Sequence, residues 1–351
     1  MKFGLLTLMD FHPELQDEAT YLADTLSLFE LADRLGYSTA WIGEEHFYHF
    51  GVCPSPQLML AALAQRTRSI RLGTAISLLP FENPLRKAED FALLDVISGG
   101  RVNFGVGRGS ISKHFEGFGV SARESRARYE EALDVIRRAW TQRTVAHDGA
   151  YWTVPELSVS PRPVQRPHPP IWRGTVSEES FLQAAEAGDN AFIIPWVATS
   201  EERMGARYRA YRDKAAACGH RDMQSTAVYM LHIDEDHDRA LARGREESRR
   251  YAELITRYTT RQSSDARFAP GSAAFEHAEY ILSISDHLEE RAIVGTPETC
   301  IRRIREIDEQ LGGVTEFAFY LHAGARSTAQ AKRSLELFAR EVMPAFEAVP
   351  A

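Results

Sequence analysis

The run Trp41-Ile42-Gly43-Glu44-Glu45-His46-Phe47-Tyr48-His49-Phe50 sets two carboxylates and two imidazoles among aromatic side chains. Histidine changes protonation near neutral pH, and an apolar surround raises a carboxylate's pKa. Glu45 and His46 are therefore candidates for moving a proton to or from a bound molecule. The same residues would also make a hydrogen-bonded structural cluster. A metal site is disfavoured, because no second group of ligand-type residues stands at a matching spacing.

A second string, Phe104-Gly105-Val106-Gly107-Arg108-Gly109-Ser110, is rich in glycine. It lacks the Lys-Ser/Thr ending of a P-loop, and it does not follow the first strand as a dinucleotide fingerprint would. Its glycines would let the backbone approach a flat ligand, and Arg108 would bond a phosphate. A tight turn with a surface ion pair is the alternative. In Gly174-Thr175-Val176-Ser177-Glu178-Glu179-Ser180, Ser177 is placed as an N-cap, and a helix start with hydroxyls is a site for an anion. Ordinary capping reads the same way, but in company with Arg108 the pair points to a monophosphate.

These strings need elements to hold them. Strand-length apolar runs stand at 3–8, 39–42, 71–79, 102–106, 171–173, 191–194, 226–233 and 317–321. Helical patterns separate them, the clearest ending at Gly36 and covering 58–64, 84–97, 121–140 and 181–187. Prolines between 155 and 170 mark a surface excursion. Eight strands alternating with helices predict an α/β fold with parallel strands, and either a closed barrel or an open doubly wound sheet satisfies that pattern. In a barrel, function gathers just after the strands, where the strings above lie. Residues 258–293 are polar or mixed and read as a surface insertion or as a mobile lid over the mouth.

The chain has 351 residues, 44% hydrophobic and 26% charged, which suits one barrel domain with insertions over 1–351. A net charge of -8 offers no general attraction for nucleic acid or membrane. Cys53, Cys218 and Cys300 are too few and too far apart for a disulfide framework, so a reducing cytoplasm is expected. The first residues meet Asp10 too early for a secretion signal, and no apolar run approaches the ~20 residues of a membrane span.

Further segments carry a family resemblance: Gly73-Thr74-Ala75-Ile76-Ser77-Leu78-Leu79-Pro80, Asn83-Pro84-Leu85-Arg86, Ser98-Gly99-Gly100-Arg101 and Val294-Gly295-Thr296-Pro297-Glu298-Thr299-Cys300. Together with the first two strings above, they make the chain resemble the bacterial luciferase-like flavin-dependent monooxygenases over nearly its full length. The resemblance implies a (β/α)8 TIM-type barrel that binds reduced FMN at its mouth. A separate NAD(P)H:flavin reductase would supply the cofactor. Dioxygen would then give a flavin hydroperoxide that oxidises a small organic substrate by hydroxylation, Baeyer-Villiger insertion or N-oxidation. A homodimer is also implied.

The implied cofactor residues are Glu44, Ala75, Ile76, Gly107, Arg108, Val176, Ser177 and Ser180, with a cis Ala75-Ile76 peptide beneath the isoalloxazine and Arg108, Ser177 and Ser180 at the phosphate. Where bacterial luciferase has Glu-His-His-Phe this chain has Glu44-Glu45-His46-Phe47, so Glu45 stands at the catalytic histidine's position. Gly107 stands at the reactive cysteine's position and Val176 at that of a phosphate-contacting glutamate. The alternatives are a deazaflavin-dependent dehydrogenase on the same barrel, transferring hydride without dioxygen, and a non-catalytic flavin-binding protein.

Overall fold

The computed structural model describes residues 1–47, 51–194, 200–259, 283–321 and 326–347. β1 (Lys2–Thr7) is followed by α1 (Glu18–Leu35), β2 (Thr39–Ile42) by α2 (Pro56–Arg66), and β3 (Arg71–Thr74) with β4 (Ser77–Leu78) by α3 (Pro84–Ile97). Local chemistry sets these helices. The Asp17 and Asn83 side chains each accept an amide of the first turn at 2.9 Å, and Gly36 ends α1 at a φ of 86° that other residues adopt poorly.

β5 (Val102–Gly107) leads into a short α4 (Ser112–Phe118) and then α5 (Ser125–Thr141). The pattern at 121–140 covered α5 but not α4, which is too short to show a helical period. β6 (Val145–Asp148) and β7 (Thr153–Leu157) form an antiparallel hairpin at the start of the proline-rich excursion. Pro155 lies within β7, and each strand of a two-stranded sheet is an edge, where proline is tolerated.

The second half runs β8 (Ile171–Thr175), α6 (Glu178–Ala187), β9 (Asn190–Ile193), α7 (Glu201–Ala217), β10 (Ser225–Tyr229), β11 (Leu231–Ile233) and α8 (His237–Thr259). After it come α9 (Leu288–Arg291), β12 (Ile293–Gly295), α10 (Pro297–Leu311), β13 (Glu316–Tyr320) and α11 (Thr328–Glu341). The strands β1, β2, β3, β5, β8, β9, β10 and β13 pair in parallel in that order. β13 returns to β1 with Phe319 opposite Leu5, so the ring closes and the open-sheet alternative is excluded.

Two expected strands differ in detail. The run 71–79 is broken between β3 and β4 by a cis Ala75-Ile76 peptide, as the resemblance implied. The run 226–233 splits at Met230, and β11 leaves the barrel to pair with β12. Most of the expected lid, residues 260–282, lies outside the described residues. At its described far end Ile284 and Leu288 are buried, and Ile293 opens β12. Among the described residues no helix is long and apolar enough to cross a membrane.

Alternation along the strands builds the core on both sides of the ring. Leu5, Ala40, Leu72 and Phe317 pack outward against the helices, while Leu6, Trp41, Trp172 and Phe192 meet inside. Trp41 touches the rings of Phe192 and Trp172 edge-on, with centroids 4.5 and 5.2 Å away. Gly73 makes this possible, since a Cβ there would stand 2.0 Å from the indole. Beneath it, the Glu316 carboxylate accepts the Trp41 indole N–H at 2.9 Å and the Thr39 and Thr226 hydroxyls at 2.7 Å. With its interior filled, the barrel offers ligand space at the mouth, on the C-terminal side of the strands.

Candidate active site

A cavity of about 460 Å³ opens at that mouth. Nine of the residues singled out from sequence line it: Glu44, Glu45, Ala75, Ile76, Gly107, Arg108, Val176, Ser177 and Ser180. They arrive from loops after β2, β3, β5 and β8, so sequence-distant strings converge because parallel strands all end on one face.

The loop after β2 sends consecutive residues to different tasks. Glu44 is 5% exposed, and its carboxylate accepts from Ser77 Oγ at 2.8 Å, the Leu78 amide at 3.2 Å, Lys87 Nζ at 3.1 Å and His46 Nε2 at 3.1 Å. Burial alone would raise its pKa. The His46 hydrogen bond, the Lys87 charge and the Ser77 hydroxyl outweigh burial and hold it below the ordinary carboxylate range. Lys87, buried on α3, loses charge stability to burial but gains more from Glu44 and from Glu82, and is raised. Glu44 thus ties β2 to β4, and His46 supports it from outside the cavity lining. Glu45 does face the cavity, in space kept by Gly51, whose Cβ would stand 2.6 Å from Glu45 Cγ.

β4 places Ile76 over β5 and β8. A Cβ on Gly107 would come within 1.9 Å of Ile76 Cδ1, and one on Gly174 within 3.7 Å. The isoleucine therefore lies across a side-chain-free floor, giving the cavity a flat apolar base to which Leu8, Ile111 and Ile194 add walls.

The opposite end is built for an anion. Ser177 caps α6, accepting the Ser180 amide at 3.2 Å, and Ser180 Oγ accepts the Val176 amide at 3.1 Å. Arg108, Arg126 and Arg173 line the same end. Arg173 is fixed by Asp189 at 2.7 Å and Glu130 at 2.7 Å, while Arg126 pairs with Glu179 across the α6 start. The helix dipole adds to these cations.

Sequence reading missed Arg126, Arg173, His114, Tyr251 and Tyr320, all of which line the cavity. Arg173 was legible as the end of a strand, and Arg126 as a cation in the first turn of an expected helix. His114 sits on the unforeseen α4, with Nε2 3.3 Å from Glu45 Oε2. Tyr251 of α8 and Tyr320 of β13 bring their hydroxyls within 3.4 Å of each other. Burial chiefly raises both phenols, so they are protonated at neutral pH.

A family model described as luciferase-like monooxygenase matches residues 1–315. The chain belongs to the luciferase-like monooxygenase family. Limonene 1,2-monooxygenase of Rhodococcus erythropolis is 30% identical to this luciferase-like monooxygenase over 92% of its chain and 80% of the relative. The oxygenase component of the flavin-dependent trigonelline monooxygenase of Acinetobacter baylyi is 27% identical over 99% of this chain and 96% of the relative. The match to an uncharacterized protein of Sinorhizobium fredii, y4vJ, reaches 36% identity but spans about half of either chain, 51%. Among solved structures, the monooxygenase RslO1 of Streptomyces bottropensis superposes on this family member with a TM-score of 0.85 at 29% identity, covering 99% of this chain and 100% of that one.

Proposed function

We propose that this chain is the oxygenase half of a two-component system, binding reduced FMN and using dioxygen to oxidise a small organic substrate. The observation that carries the reading is one cavity with an anion-binding end, at Arg108, Arg126, Ser177 and Ser180, and a flat apolar floor, at Ile76 over Gly107. A phosphate joined to a planar ring matches that arrangement. The full-length likeness to a relative named as a flavin-dependent oxygenase component supports delivery of the reduced cofactor by a separate NAD(P)H:flavin reductase.

When bound, reduced FMN supplies the electrons that activate dioxygen. The protein supplies orientation, shelter from water and proton traffic. Arg108, Ser177 and Ser180 hold the phosphate; Ala75, Ile76 and Gly107 support the ring; Val176 lines the phosphate end without bonding it through its side chain. Glu44 fixes β4 and so the floor. Glu45 carries the proton at the cavity wall, and His46 acts on it only indirectly, through the loop it shares with Glu44.

A homodimer fits the exposed apolar side chains Leu58 on α2 and Leu93, Val96 and Ile97 on α3, which form a face suited to a second copy. Sedimentation of wild type against Leu93→Glu tests that pairing. Anaerobic titration with reduced FMN, run beside reduced deazaflavin, tests the cofactor. Tighter binding of the deazaflavin would transfer the fold to a hydride-transfer reading.

A further inference from the structure

The mouth holds two carboxylate–imidazole pairs side by side, and they are not equivalent. Glu44 and His46 meet at 3.1 Å, with Glu44 also held by Lys87, Ser77 and the Leu78 amide. That carboxylate accepts four donors, and taking up a proton would compete with all four. Glu45 and His114 meet at 3.3 Å, and both line the cavity.

His114 Nε2 has a second neighbour, because the His46 backbone N–H donates to the same atom at 3.3 Å. An imidazole nitrogen accepts an N–H only when it carries no proton, and it donates to a carboxylate only when it does. With the amide bond made, Nε2 and Glu45 Oε2 face each other as two acceptors unless one proton stands between them. We propose that Glu45 and His114 share a single mobile proton at the cavity wall, and that His114 is the imidazole that takes part in turnover.

The surroundings favour this division. Glu44 and His46 flank the pair on its own loop, with Lys87 of α3 behind Glu44. Across the cavity stand the Tyr251 and Tyr320 hydroxyls, which feel the charges of Asp10 and Glu45. Phe81 and Phe118 close the outer side, the Phe118 ring centroid 4.8 Å from that of His46 and the Phe81 centroid 6.2 Å from that of His114. The His46 amide acts as a latch: it is bonded when Nε2 is bare and released when Nε2 takes the proton. One proton thus alternates between a carboxylate and an imidazole, and protonation of a bound molecule is relayed to the loop that carries Glu44.

The use of this pair in turnover rests on the flavin reading above, but its existence does not, so the experiment has two arms. In the first, the apo protein labelled with 15N-histidine is read by NMR, with His114 assigned by the signal lost in His114→Gln and His46 by that lost in His46→Gln. Glu45→Gln is expected to move the His114 Nε2 resonance and leave that of His46 nearly in place, and Lys87→Met, which strips Glu44 of its ammonium, to do the reverse. A His114 resonance unmoved by Glu45→Gln overturns the shared proton.

In the second arm, the preformed complex with reduced FMN is mixed with oxygenated buffer across a pH series, and the return of oxidised FMN is followed. His114→Gln is expected to remove one limb of the wild-type pH profile and to change the rate by about a hundredfold at the steepest pH, with reduced-FMN affinity altered by less than about threefold. His46→Gln is expected to keep that limb. A His114→Gln profile identical to wild type overturns the role in turnover. Absence of a stoichiometric complex between wild type and reduced FMN would count against the proposed function, while the NMR arm would still decide the pair.

Discussion

The δ-methyl of Ile76 occupies the space that a side chain on Gly107 would need, 1.9 Å from where its Cβ would stand. The relation decides what each neighbouring glycine tolerates. The obstacle at Gly107 is the free end of a side chain, which can swing away, whereas a Cβ on Gly105 would strike the backbone oxygen of Thr74 at 1.8 Å. Gly107→Ala is therefore expected to cost about 1 kcal/mol of stability but to weaken reduced-FMN binding, because Ile76 moves into the ring's place. Gly105→Ala is expected to cost about 3 kcal/mol or more, or to prevent folding. The double variant Gly107→Ala/Ile76→Ala should regain affinity lost by Gly107→Ala alone, and additive losses in denaturation and FMN titrations would contradict the coupling.

Arg108→Ala is expected to weaken reduced FMN by roughly ten- to a hundredfold, as for a lost hydrogen bond to a charged group of ~1.5–3 kcal/mol. Ser177→Ala should weaken it less, since helix-start amides remain, but it also removes a cap and should lower stability by ~0.5–2 kcal/mol. Measuring both FMN affinity and melting temperature separates the two roles.

The barrel and most of the anion end were legible in the sequence. Apolar runs marked the eight strands, Pro84 behind Asn83 marked the start of α3, and Ser177 marked the start of α6. The acid end was legible only in part. Glu44, Glu45 and His46 were found as a group, but the string does not say which side chain turns inward, because the chain leaves β2 as a loop with no fixed period. Tyr251 and Tyr320 are contributed by elements far away in sequence, and His114 by a helix of a single turn or two, so no local pattern announces them.

Beside the mouth, α8 is pinned by a buried cluster. Glu247 of α8 meets His232 of β11 at 2.9 Å and Arg326 at 2.7 Å. Burial raises the Glu247 carboxyl, but the Arg326 charge and the His232 hydrogen bond overcome it and lower its pKa to about 2. A carboxylate with a depressed folded pKa contributes stability in full above its unfolded value of ~4.3. That contribution is lost as pH falls toward about 2. Wild type is thus expected to lose stability over that acid interval and Glu247→Gln to lose less of it, starting from a lower value at neutral pH. Parallel stability curves for the two proteins would contradict the assignment. Tyr251 and Ile255 follow Glu247 on the same helix face, so the variant should also loosen that wall of the cavity.

The buried Glu44–Lys87 pair makes the corresponding prediction within the site. Lys87→Met removes the buried ammonium from the Glu44 carboxylate, leaving it only the neutral donors Ser77 and the Leu78 amide and the His46 imidazole, and is expected to cost ~3–5 kcal/mol near neutral pH. Since Glu44 is held below its ordinary range, its share of stability is present above ~4.3 and fades as pH falls through its folded value. Lys87 is raised, so its share is present below ~10.4 and fades only as pH rises through its own folded value. Denaturant melts of wild type and Lys87→Met at neutral and acid pH should converge on acidification. A gap that stays constant would show that the pair is energetically silent.

The most direct measurement is oxygen uptake by the purified chain loaded anaerobically with reduced FMN, beside the Arg108→Ala variant. A stoichiometric complex with reduced FMN is expected, reacting with oxygen on admission of air at a rate distinct from that of free reduced FMN, and the complex is expected to be weakened roughly ten- to a hundredfold in the variant. Failure of the wild-type chain to bind reduced FMN, or hydride transfer from a reduced deazaflavin without oxygen, would contradict it.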